Sequence, residues 1–129
     1  MFKFNILLFL ILFYHALGGS GTYSGDFDFA HGLNIKCEFI TNNIVKVFAT
    51  IEINTSECIG DANIQLALMK KGFLGDQIVV SDSFPNKVGT YYVSLKTEET
   101  FNNDQTFYLY MRNWCGFTAK GTIKINYEY

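Results

Sequence analysis

Ile44-Val45-Lys46-Val47-Phe48-Ala49-Thr50-Ile51-Glu52-Ile53-Asn54 is the stretch that decides the fold. Val45, Val47, Ala49, Ile51 and Ile53 are apolar, while the intervening set holds Lys46, Thr50, Glu52 and Asn54. In an extended chain, side chains two apart point the same way, so this segment is a strand with one dry face and one wet face. Phe48 is the single large apolar residue on the wet set.

The same period runs outward in both directions. Toward the N-terminus, Leu33, Ile35, Cys37 and Phe39 share one face. Toward the C-terminus, Ile64, Leu66 and Leu68 alternate with Asn63 and Gln65, and Tyr91, Val93 and Leu95 with Tyr92, Ser94 and Lys96. Phe107, Leu109 and Met111 alternate with Tyr108, Tyr110 and Arg112. Last, Ile123, Ile125, Tyr127 and Tyr129 alternate with Thr122, Lys124, Asn126 and Glu128. Two less regular strands, near Asp26–Ala30 and Asp76–Val80, bring the count to about eight. No segment carries a helical stripe. One-sided alternation is the mark of antiparallel sheets that cover a core with one face. The expected fold is therefore an all-β antiparallel sandwich, Ig-like or jelly-roll-like, with a small barrel as the alternative.

Turn chemistry fits the gaps. Lys71 to Asp76 contains two glycines and links two strands, and Asn102-Asn103-Asp104 is a polar turn. Phe84-Pro85-Asn86-Lys87 reads as a turn in which Pro85 presets φ and Asn86 tolerates a left-handed backbone. Asn113 to Gly116 connects the last two strands.

The first residues point to export. Met1-Phe2-Lys3 carries one positive charge, Phe4 to Tyr14 is apolar apart from Asn5, and Ala16-Leu17-Gly18 supplies small residues at −3 and −1. This is the order of a secretory signal peptide. The apolar run falls short of the about 20 residues that cross a bilayer as a helix. Residues 1–18 are the expected leader, cleaved after Gly18 with Ser20 as the alternative site, and residues 19–129 one sandwich domain. No second apolar segment follows, so no membrane association is expected after cleavage.

Composition sets limits on partners. Aromatic content is 17 %, from 13 Phe, 8 Tyr and one Trp, which supplies a real core. Net charge is −2, and loss of Lys3 with the leader takes it to −3. That mild acidity, with Lys70-Lys71 as the sole basic doublet, excludes a nucleic-acid surface.

Cys37, Cys58 and Cys115 allow one bridge and one free thiol. Cys37 sits on the dry face of its strand, whereas Cys58 and Cys115 fall in glycine-containing loops. Cys58–Cys115 is the expected disulfide, with Cys37–Cys115 as the alternative. Closing so long a loop is worth about 4 kcal/mol on the chain-entropy model.

Catalytic chemistry finds little support. The exported chain has one histidine, His31, in the strand-ending cluster Phe29-Ala30-His31-Gly32, with no triad motif around it. Ligands for zinc are too few, and no cofactor is expected. Asp26 and Asp28 share one face of an extended segment, and with Asp104 or Asp82 they could offer oxygen ligands to calcium. No loop has the regular ligand spacing of a dedicated calcium site.

The aromatic outward residues are more informative. Phe48, Tyr92, Tyr108 and Tyr110 lie on nominally wet faces, and Trp114 follows Arg112 in a loop. If the strands bearing Tyr92 and Tyr108/Tyr110 are neighbours, the rings form one patch suited to a sugar or a partner protein. Cross-strand ring pairing that merely stabilises a sheet is the plainer reading. Asn54-Thr55-Ser56 is an Asn-x-Ser sequon at a strand end, whereas Asn113-Trp114-Cys115 is not the standard signal. These residues predict a secreted, non-enzymatic binding domain for an extracellular glycan or protein. A secreted structural or defence protein is the alternative, and a carboxylate-based hydrolase stands behind both.

Overall fold

The computed structural model describes residues 18–129, so the expected leader, apart from Gly18, lies outside the described residues. Eight antiparallel strands form two four-stranded sheets: β1 (Ser20–Phe29), β2 (Gly32–Thr41), β3 (Lys46–Ser56), β4 (Asn63–Lys70), β5 (Gln77–Pro85), β6 (Gly89–Lys96), β7 (Gln105–Asn113) and β8 (Ala119–Glu128). One sheet has the order β1-β8-β3-β6 and the other β2-β7-β4-β5. Successive strands β1/β2, β3/β4, β5/β6 and β7/β8 each cross from one sheet to the other. That is the order of a jelly roll, which settles the choice left open between an Ig-like sandwich, a jelly roll and a barrel.

The alternating sets meet between the sheets as expected. Val45, just before β3, and Val47, Ile51 and Ile53 of β3 face Ile64, Leu66 and Leu68 of β4 and Phe107, Leu109 and Met111 of β7 in one buried core. Burying each of the larger side chains stabilises the fold by about 1.5–3 kcal/mol. Aromatic rings close one end of this layer. Phe39 stacks on Tyr127 (centroids 4.8 Å), Tyr129 (5.0 Å) and Phe107 (5.8 Å).

Two strands run longer than the sequence pattern implies. β1 starts at Ser20 rather than near Asp26, because it pairs along its whole length with β8 (Ser20 opposite Glu128, Phe29 opposite Ala119). β5 continues to Pro85, which pairs with Asn63 at the end of an edge strand, where a missing N–H is tolerated. The turn therefore shifts to residues 86–88. Asn86 makes no use of its tolerance for a left-handed backbone, since every described residue with positive φ is a glycine. Its amide is instead buried and hydrogen-bonded.

Bulges adjust the register without turning the core face outward. In β2, Ile35 opposes Leu109 and Glu38 opposes Tyr108, so two residues are inserted and parity survives; Cys37 still points inward. In β3 the extra residue between Ile53 and Thr55 is Asn54, which lies exposed on a bulge inside the strand rather than past its end.

The turns β1–β2, β3–β4, β5–β6 and β7–β8 gather at one end of the sandwich. There Cys58 bonds Cys115 (Cα–Cα 6.0 Å), joining the β3–β4 loop to the β7–β8 loop across 57 residues. The expected bridge is the one formed, and Cys37 is buried and free.

Candidate functional site

On the outer face of β7, Tyr108, Tyr110 and Arg112 stand two residues apart, and Trp114 extends the file past the strand end. Their cross-strand neighbours fix how much room each ring has. Tyr110 lies between Ala67 of β4 and Asn34 of β2, and Arg112 between Gln65 and Gly32. A Cβ placed on Gly32 would come within 1.8 Å of the Tyr110 hydroxyl oxygen, so the ring reaches across β2 because position 32 has no side chain. Arg112 then covers Trp114, its guanidinium carbon 3.9 Å from the ring centroid. A cation over an indole at an exposed position is worth about 0.5–1 kcal/mol. Trp114 nevertheless remains 56 % exposed.

These side chains wall a shallow cleft of ≈ 380 Å³, bounded by His31, Gly32, Tyr110, Arg112, Trp114 and Gly116. Gly116 has φ 77°, in the left-handed region that favours glycine, and lets the chain turn back directly after Cys115. No acidic residue lines the cleft. Among the described residues, the ion pairs are Lys71–Glu38, Lys87–Asp61 and Lys120–Asp28, and none involves Arg112.

A buried polar knot beneath the cleft holds it. Asn113 donates from Nδ2 to the carbonyls of Phe117 (2.8 Å) and Phe29 (3.4 Å). Its Oδ1 accepts from Asn86 Nδ2 (3.0 Å) and from the Cys115 N–H (3.0 Å). Ser56 Oγ donates to Asn86 Oδ1 at 2.8 Å, and the Asn113 N–H donates to the His31 carbonyl at 2.6 Å. One amide side chain thus ties together the end of β1 and the loops flanking Cys115 and Trp114. Every lone pair and proton satisfied here avoids the 1–3 kcal/mol that an orphaned buried group costs. This also accounts for Asn113: at 5 % exposed and fully bonded, it is a structural amide.

The five aromatic candidates do not form one patch. Phe48 and Tyr92 lie on the outer face of the β1-β8-β3-β6 sheet, with Thr50 opposite Tyr92 and Phe48 opposite Ser94. Tyr108, Tyr110 and Trp114 belong to the other sheet, with the whole core between. The strands bearing Tyr92 and Tyr110 are not neighbours, so the patch divides in two. Within the second group, Tyr108 is drawn away from the cleft by Asp76 at the far end of the file. Its hydroxyl donates to Asp76 Oδ2, and burial together with that carboxylate pushes the phenol up to about 12. Tyr108 in turn holds the Asp76 carboxyl below the usual carboxylate range, helped by the Gly72 N–H and Lys71.

The calcium constellation does not assemble. Asp28 faces Lys120 (3.8 Å), Asp82 lies on an edge strand of the opposite sheet, and Asp104 sits in the β6–β7 loop at the other end. Among the described residues no group of three acids, histidines or cysteines could hold a metal ion. Among the described residues three hollows are larger: two, ≈ 750 and ≈ 490 Å³, surround Gly18, Gly19 and Tyr129 at the first described residue, and one of ≈ 510 Å³ lies between Val79, Val80 and Glu98 to Phe101; none contains a cluster of exposed rings. Chemistry favours the smaller cleft over volume.

Sequence alone does not single out Arg112, Gly32, Asn113 and Asn86 as site residues, and it places His31 only in a strand-ending cluster. Arg112 was within reach, since it falls on the same outward set as Tyr108 and Tyr110. Gly32 and His31 come to the cleft only through the β2–β7 pairing, which no local pattern encodes.

Fold and site together define a jelly-roll β-sandwich whose loop end is stapled by a disulfide. No family model and no curated protein sequence matches the chain. Solved structures do. The mitogen derived from Yersinia pseudotuberculosis aligns with a TM-score of 0.50 at 14 % identity, over 86 % of each chain. The disulfide-linked pili of Bacillus endospore appendages align at 0.48 and 11 % identity, over 87 % of this chain and 88 % of that one. The VP2 subviral particle of infectious bursal disease virus aligns at 0.44 and 10 % identity, over 83 % of this chain and 32 % of that one. At these identities the likeness is one of fold.

Proposed function

We propose that the chain is an exported, non-enzymatic recognition domain that binds an extracellular glycan or protein partner at the Tyr110–Arg112–Trp114 cleft. The observation that carries this reading is the stacked Arg112–Trp114 pair, left exposed on a rim that a disulfide and a buried amide knot hold rigid. Rings and a guanidinium fixed in advance lose little side-chain freedom on binding, which raises affinity per contact. The disulfide suits an oxidising compartment, and with the leader pattern it supports secretion. Asn54, exposed on its bulge, suits a glycan if the host attaches one.

A glycan array probed with the disulfide-bonded protein tests the site, with Tyr110→Ala and Trp114→Ala as controls. Both substitutions are expected to weaken binding at least tenfold. If both variants bind as well as wild type, the cleft is not the site. Intact mass and peptide mapping of protein from the medium test the processing: an N-terminus at Gly19 or Gly21, one bridge, and one thiol at Cys37 are expected.

A further inference from the structure

We infer that the cleft recognises an acidic sugar, with Arg112 receiving its carboxylate or sulfate and Trp114 and Tyr110 lining the ring. This rests on the reading of the cleft as a binding site and narrows its ligand class.

The chain contains one arginine and one tryptophan, and they are stacked on each other. The guanidinium has neither an ion pair nor a side-chain hydrogen bond among the described residues, and no carboxylate lines the cleft to neutralise it. This local excess of positive charge arises in a chain whose net charge is negative. Contact with the indole restrains the guanidinium, whose unpaired N–H groups can meet a carboxylate or sulfate with two parallel hydrogen bonds. The remaining wall suits the rest of a sugar. Tyr110 and His31 present polar atoms to hydroxyls, and exposed rings offer faces for apolar C–H groups. A hollow of ≈ 380 Å³ is near the lower end of small-ligand sites and fits one or two sugar rings.

The test compares sialylated, uronate-containing and sulfated glycans with their neutral counterparts, using wild type, Arg112→Ala, Arg112→Lys and Trp114→Ala. Arg112 is exposed, so its variants are expected to keep the wild-type melting temperature. Acidic glycans should bind at least tenfold tighter than neutral counterparts, with affinity falling as salt rises. Arg112→Ala should abolish that preference, and Arg112→Lys should recover only a small part of it. Equal binding of neutral and acidic glycans, sensitive to Trp114→Ala but within twofold on Arg112→Ala, would overturn the inference and leave the binding reading intact. Binding of acidic peptides in place of glycans would also overturn it. No glycan bound at all, with the peptides also inert, would overturn the inference and leave only a folded protein as partner for the binding reading.

Discussion

Asn113 shows how much one side chain can organise. Its amide serves the Phe29 and Phe117 carbonyls, the Cys115 N–H and the buried Asn86 at once. Asn113→Ala orphans several of these groups and is expected to lower stability by roughly 3 kcal/mol in denaturant unfolding. It should also blur binding at the cleft, because the Cys115 N–H and the Phe117 carbonyl, which flank the Trp114 loop, lose their anchor. A second residue-scale test concerns Tyr108 and Asp76. A carboxyl held below its ordinary value contributes stability above the unfolded pKa, and that contribution is lost as pH falls through the folded value. In Tyr108→Phe, Asp76 should titrate closer to its ordinary value by carboxyl-carbon NMR, and the acid-side loss of stability should shrink. The Gly72 N–H and Lys71 remain, so the shift should be reduced rather than abolished.

At the scale of elements, alternation told which way each side chain faces but not which sheet carries it. Val47 to Ile53 read directly as the dry face of β3, and Cys37 read correctly as buried despite the β2 bulge, because the two inserted residues preserve parity. Phe48 and Tyr110 both read as outward and are outward, yet they face opposite sides of the molecule. Strand pairing is a long-range property, and the segment from Ser20 to Gly25 could not announce its strand without knowledge of β8. Element placement also sharpens one expectation. β8 is not an edge but lies between β1 and β3, pairing with both. Deleting residues 124–129 removes partners from two strands together with the Tyr127 and Tyr129 rings on Phe39. The truncated chain should give no cooperative thermal transition, and recovery of a stable truncated sandwich would contradict the topology.

For the whole molecule, the Cys58–Cys115 bridge closes a loop that includes β4, β5, β6 and β7. Replacing both cysteines with serine should cost about 4 kcal/mol by denaturant unfolding. In calorimetry that corresponds to a fall of roughly 15 °C in melting temperature. The loop end should loosen first, with hydrogen exchange fastest at Trp114 and Gly116. The position of β8 also bears on the order of assembly. The first strand made waits for the last, since β1 has no other partner in its sheet and β3 lacks one neighbour until residues 119–128 exist. Contacts this distant in sequence make folding slow. A polypeptide emerging from the ribosome therefore cannot lock its native pairing early, and its first strand stays unpaired until β8 has been made.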